Sequence, residues 1–339
     1  MMRVSGPNLQ PCHRGKLFCV IRTLVAMFAL TSARSRLWCL AQLLLVAVAV
    51  QAQTPSTPPS SPPPALSYRL VKKEVITDRL KHFSGSDQDR EQRIKAWFLE
   101  AGCPEAQIVE QKVAAGVPPN VICTIPGESD SVILVGAHFD YVKRGEGVVD
   151  NWSGASLLPS FVSTLVQSPR HHTFVLIAFT SEEKGLFGSE FYVKHLTPEA
   201  RGRIAAVINL DTLGLGPTEV WASRADPQLV GVLNALAHAM NLPLSAVNVD
   251  RVGSTDSESF APYKIPRITI HSITQETWHL LHSPWDQLSA IHLDDYYATY
   301  RLLTAYLLEL DMFFGKTAEP PHASPAASSA ALPAIAPQK

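Results

Sequence analysis

Apolar residues in this chain come as short unbroken runs separated by longer amphipathic stretches. Residues 132–137, 173–179 and 204–210 are apolar almost throughout, the pattern of strands buried on both faces. Residues 106–113, 121–125 and 267–271 read as further strands, with a turn at Pro126-Gly127. Residues 77–101 have helical character, with Leu80, Ile94, Trp97, Phe98 and Leu99 set among charged positions. Residues 152–166 predict a helix with Leu157, Phe161 and Leu165 on one face and Pro159 in its first turn or kinking it. Helices are also predicted over 227–240 and 294–314, the latter with Tyr296, Tyr300, Leu303, Leu307 and Leu310 on its apolar side. Strands alternating with helices predict an α/β fold: a mixed, largely parallel central sheet sandwiched by helices.

The two ends break this pattern. Arg34 and Arg36 precede an apolar run over 37–50, and Val50-Gln51-Ala52-Gln53 offers small residues for cleavage. Residues 1–52 are therefore expected to be a signal region removed after Ala52, with Met27 a better start than Met1; the alternative is an uncleaved membrane anchor. The apolar run is short for a membrane span, so no stable membrane insertion is expected after signal removal. Residues 53–66 read as a Pro/Ser-rich linker and 316–339 as an Ala/Pro-rich disordered tail. Between them, 67–315 has the length of one domain.

A net charge of −1 gives no general attraction to nucleic acid or anionic membrane. There is no Walker loop, Rossmann glycine fingerprint or fixed-period repeat. With the leader removed, two cysteines remain, Cys103 and Cys123, and no CxxC pair. In an exported protein they are expected to pair; otherwise they are two unrelated buried thiols.

Polar residues directly after apolar strands carry the chemistry. His138 ends one strand, Glu182 and Glu183 follow the second, and Asp211 follows the third. Asp150 and His282 lie in loops able to reach the same edge. Open α/β sheets place ligands there. Taken singly, each has an ordinary alternative: a structural histidine, a helix cap, a solvated acid. Together they are nitrogen and oxygen donors suited to zinc, enough for two ions.

Five segments in order, Gly136-Ala137-His138-Phe139-Asp140, Asp150-Asn151-Trp152-Ser153-Gly154-Ala155, Ser181 to Ser189, Asn209-Leu210-Asp211 and His282-Ser283-Pro284-Trp285-Asp286, resemble the zinc aminopeptidases of clan MH. That group includes leucyl aminopeptidase, aminopeptidase Y and, more distantly, glutaminyl cyclase. The resemblance implies a phosphorylase/hydrolase-like zinc exopeptidase fold and a secreted or periplasmic enzyme acting on peptides with a free N-terminus. It implies two Zn2+, with Asp150 bridging, His138 and Asp211 completing one site, and Glu183 and His282 the other. Glu182 is then the general base. Asp140 is expected to accept a hydrogen bond from the far ring nitrogen of His138. A cis Asp150–Asn151 peptide is also implied. The alternative is a glutaminyl cyclase-like enzyme with a single zinc; a metal-free binding domain and a carboxypeptidase rank below it. One departure stands out: Ser254-Thr255-Asp256-Ser257-Glu258-Ser259-Phe260 lacks the histidine that follows Ser-Asp in relatives. His271, Arg251, Arg224 and Trp285 are either pocket-lining or ordinary core and surface residues, and the latter is expected.

Overall fold

The computed structural model describes residues 68–83, 85–251 and 253–317. The expected signal region, its cleavage site after Ala52, the linker up to residue 66 and the tail from 318 onward lie outside the described residues.

The helical stretch expected over 77–101 is two helices, α1 (Lys73–Lys81) and α2 (Asp87–Glu100). The break follows from Gly85-Ser86: the Ser86 side chain accepts from the Asp89 amide and caps α2, so a new helix starts there. The strands are β1 (Ile108–Gln111), β2 (Asn120–Ile125), β3 (Val132–His138), β4 (Thr173–Phe179), β5 (Ile204–Leu210), β6 (Thr218–Val220), β7 (Leu244–Ala246) and β8 (Arg267–His271). They form one sheet in the order β1-β2-β4-β3-β5-β8-β6-β7. The centre β4-β3-β5-β8 is parallel, while β1, β2 and the β6/β8 pairing are antiparallel. Helices α3 (Leu158–Leu165), α4 (Phe187–His195), α5 (Pro227–Ala239) and α6 (Leu293–Thr317) complete the layers, with Pro159 in the first turn of α3.

The period of two along each strand divides the core between the sheet's faces. Phe174, Leu176 and Ala178 of β4, with Ile133, Val135 and Ala137 of β3, meet Ile94 and Phe98 of α2, Phe161 of α3, Leu233 of α5 and Tyr300 of α6. Val175, Ile177 and Phe179, with Leu134, pack on the other face against Tyr192 and Val193 of α4 and Phe260. Each such Val, Leu, Ile or Phe side chain, fully buried, contributes about 1.5–3 kcal/mol, so the central strands are anchored on both faces. A disulfide joins Cys103, just beyond α2, to Cys123 on β2. Among the described residues no helix is long and apolar enough to cross a membrane.

All four parallel strands run the same way, so their carboxyl ends share one edge of the sheet. His138 ends β3, Ser181-Glu182-Glu183 follows β4, Asp211 follows β5 and His271 ends β8.

Candidate metal centre

Asp150 sits at the middle of this edge. Its Oδ1 lies 3.3 Å from His138 Nε2, and its Oδ2 lies 3.2 Å from His282 Nε2. One carboxylate therefore faces two imidazoles, one with each oxygen. Asp211 Oδ1 is 3.6 Å from His138 Nε2, on the first side. Glu183 Oε2 is 2.9 Å from His282 Nε2, on the second. Glu182 Oε2 is 3.9 Å from His138 Nε2. The structure thus brings His138, Asp150, Glu182, Glu183, Asp211 and His282 together.

Local backbone explains how separate stretches converge. The Asp150–Asn151 peptide is cis. The Asn151 side chain donates to the Leu210 carbonyl at 2.8 Å and accepts from the amides of Gly154 and Thr212 at 3.0 and 3.2 Å. This ties the Asp150 segment to the end of β5, where Asp211 begins. A Cβ at Gly154 would lie 2.6 Å from Asn151 Oδ1 and 2.7 Å from the Leu210 carbonyl oxygen, so only glycine permits that approach. Ser181, Leu186, Thr212 and His282 have φ of 55°, 61°, 57° and 54°, a left-handed conformation uncommon for residues with a Cβ. All four lie in the turns that carry or flank the cluster.

Asp140 meets His138 through its main chain and its carboxylate, and also holds the glutamate pair. His138 Nδ1 is 3.2 Å from the Asp140 carbonyl oxygen, while the carboxylate lies 3.6 Å away. The carboxylate accepts the backbone amides of Glu182 and Glu183 at 3.0 and 3.2 Å. Two amides at the start of a turn offer it shorter partners than the imidazole does, so it fixes the glutamate pair and its main chain fixes the histidine.

Several supporting residues are absent from the candidates read from sequence. Thr255 Oγ1 donates to Asp211 Oδ2 at 2.6 Å, and Thr212 Oγ1 to Asp211 Oδ1 at 3.1 Å. Asp286 accepts the amides of Val149 and Asp150. Asp256 is buried with no hydrogen-bond partner for either carboxyl oxygen among the described residues, and burial pushes its pKa up to about 7. Both Asp256 and Asp286 sit inside segments singled out in the sequence, which was the available signal.

The electrostatics fit bound cations. Burial opposes charge on His138, but the carboxylates around it, Glu182 first, hold its pKa well above the usual value. Asp150 and then Glu183 push His282 up to about 10. Burial raises the pKa of Glu182 and of Glu183. Four acids thus crowd two imidazoles, and among the described residues no lysine or arginine lines the cavity. Like charges at such spacing are tolerated only where positive charge compensates them. Two ligand atoms each about 2.0–2.2 Å from one zinc at a tetrahedral angle stand about 3.3–3.6 Å apart, close to the spacings of His138, Asp150 and Asp211. Glu183 Oε1 is buried without a hydrogen-bond partner among the described residues, a donor with a lone pair to offer. Within 4.8 Å of one another lie ligand atoms of His138, Glu182 and Asp211, and of His138, Asp150 and Glu183.

The cluster forms one end of a cavity of about 390 Å³. The other end is apolar, lined by Trp221, Val249, Ile273, Trp278 and Leu281. His271 also lines it, but both ring nitrogens are occupied: Nδ1 accepts from the Ile273 amide at 3.1 Å and Nε2 faces the Val247 carbonyl at 2.9 Å. Burial pushes its pKa down to about 4, so it stays neutral. Behind it, Glu219 Oε2 lies 3.7 Å from Nδ1 with no hydrogen-bond partner among the described residues. Arg224 pairs with Asp250 and Glu258 outside this wall, Trp285 is 67% exposed, and neither they nor Arg251 line the cavity.

The model of peptidase family M28 matches residues 120–307. An aminopeptidase of Pseudomonas aeruginosa (strain UCBPP-PA14) is 35% identical over 96 residues, 28% of this chain and 18% of that protein. The chain thus spans under a fifth of that curated relative's length. A solved zinc aminopeptidase from Bacillus subtilis, BSAP, is 25% identical with a TM-score of 0.52, covering 57% of this chain and 50% of its own. An Acidobacteriales bacterium glutaminyl cyclase has a TM-score of 0.63 at 18% identity, covering 74% of this chain and 99% of its own, a likeness of fold.

Proposed function

The chain belongs to peptidase family M28, and on that footing we propose that it is a secreted, dinuclear zinc aminopeptidase. The observation that carries the reading is Asp150 facing His138 with one oxygen and His282 with the other, at 3.3 and 3.2 Å. In this reading His138 and Asp211 hold one ion, Glu183 and His282 the other, and Asp150 bridges them. Zinc bound there supplies Lewis acidity for the scissile carbonyl and acidifies water.

The remaining work falls to the protein. Glu182 is buried, and its backbone is pinned by Asp140. Its carboxylate stands beside the cluster, takes the proton of the attacking water and returns it to the departing amine. The side chain of the first residue enters the apolar end of the cavity. There His271 is paired with backbone, Thr269 with Ser257 and Thr212 with Asp211, and Ser254 is a further polar residue of the lining. The side chains Trp221, Val249, Ile273, Trp278 and Leu281 in the same lining favour hydrolysis of apolar N-terminal residues. The Cys103–Cys123 disulfide supports an oxidising, extracytosolic compartment.

Zinc analysis alongside assays on aminoacyl-nitroanilides and N-terminal glutamine peptides tests the reading. Two zinc ions per chain and release of the N-terminal residue are expected. One zinc with pyroglutamate formation selects the cyclase, and neither metal nor turnover selects a binding domain.

A further inference from the structure

Asp286 closes the segment that begins with His282, and nothing in the chemistry above uses it. We propose that Asp286 is the positioning residue that fixes His282 against Asp150, and so sets the affinity of the zinc position formed by Asp150, Glu183 and His282. This rests on the dinuclear reading.

The Asp286 side chain is buried. Its Oδ1 accepts the Val149 amide at 2.7 Å and its Oδ2 the Asp150 amide at 3.3 Å, across 136 residues of chain. Its carbonyl accepts the Glu146 amide at 2.8 Å, and its own amide donates to the Ser283 carbonyl at 3.1 Å. One residue therefore joins the loop carrying Asp150 to the turn carrying His282. The fit is close from the other side as well: a Cβ at Gly145 would lie 2.3 Å from the Ser283 carbonyl oxygen.

His282 needs this support more than His138 does. The His138 ring is almost fully buried, and its second nitrogen faces the Asp140 carbonyl. The His282 ring is half exposed and, among the described residues, pairs with Asp150 and Glu183, its would-be fellow ligands. Groups that share an ion with it cannot also orient it, so its aim comes from its main chain. That main chain has a positive φ of 54°, which a residue with a Cβ does not adopt by its own preference. The turn is held from outside, and Asp286 is the side chain that reaches across.

The test compares Asp286→Asn with Asp311→Asn. Asp311 likewise accepts two successive backbone amides, those of His171 and His172, but before the start of β4, at the opposite edge of the sheet. Zinc stoichiometry and dissociation constants are measured on the full chain by competition with a chromogenic chelator, together with melting temperatures. In Asp286→Asn one of the two zinc ions should bind 10–100-fold more weakly, with the other unchanged. Asp311→Asn should lower the melting temperature and leave both affinities alone. Gly145→Ala, which crowds the turn at the Ser283 carbonyl and at the Asp286 Cβ while leaving the carboxylate itself in place, should weaken the same single ion and serves if Asp286→Asn does not fold. Wild-type affinity at both positions in Asp286→Asn, or in Gly145→Ala where that variant stands in, overturns the proposal. A wild-type protein that binds fewer than two zinc ions overturns the dinuclear reading instead.

Discussion

Replacing Glu219 by glutamine should make the protein more stable at alkaline pH and leave it unchanged in mild acid. Glu219 is 6% exposed. It faces a histidine nitrogen that already accepts an N–H, so an ionised carboxylate there meets a lone pair where it needs a proton. Burial accordingly pushes its pKa from 4.5 up to about 7. Because the folded protein holds this proton more tightly than the unfolded chain does, the stabilisation is complete below pH 4.5 and is lost as pH rises through about 7. At 1.36 kcal/mol per pH unit the gap corresponds to about 3 kcal/mol as a ceiling. Glutamine has the same shape and no charge to lose. Wild type and Glu219→Gln should therefore agree to within about 1 kcal/mol near pH 5 and diverge by about 3 kcal/mol at pH 8.5, roughly 6–12 °C in melting temperature. Denaturant unfolding of both proteins across pH 5–8.5, at equal zinc loading, measures the difference directly. Other titrating groups, Asp256 and Asp286 among them, cancel in the subtraction. A difference that does not change with pH, or one that favours wild type as pH rises, would refute the reasoning.

Glu182→Gln should retain zinc and lose most turnover, at least about 100-fold for a removed general base; near-normal turnover would reassign the base. Asp150→Asn should bind less zinc by elemental analysis, since an amide cannot offer a charged oxygen to each side; full metal content would remove its bridging role. Replacing Cys103 and Cys123 by serine opens a loop with a sequence separation of 20. Denaturant unfolding should then show a loss of about 3 kcal/mol, and an unchanged midpoint would show that the link adds nothing.

The central sheet was legible because β3, β4, β5 and β8 are buried on both faces, and continuous apolar runs are the consequence. The same logic exposed His138, Glu182, Glu183 and Asp211, since a polar residue at the end of such a run has to serve something other than the core. β6 and β7 were not legible: Thr218-Glu219-Val220 and Leu244-Ser245-Ala246 are three residues each, too short for a period to declare itself. The break between α1 and α2 is not legible within 77–101, because the apolar spacing runs past the cap at Ser86. Asp286, Thr255 and Asn151 act through partners 44 to 136 residues away. No local pattern encodes such distances, and the hold of Asp140 on amides 42 and 43 residues further on is hidden for the same reason.

The left-handed backbone at Ser181, Leu186, Thr212 and His282 has a practical consequence for anyone improving this protein. Each holds a geometry disfavoured by about 1–2 kcal/mol for a residue with a Cβ, so a screen for heat tolerance alone will be drawn to these four positions. Glycine there relieves the local strain but frees the turn to wander. Variants chosen that way should outlast the parent on heating while binding zinc less firmly, and a screen that also scores metal retention will discard them.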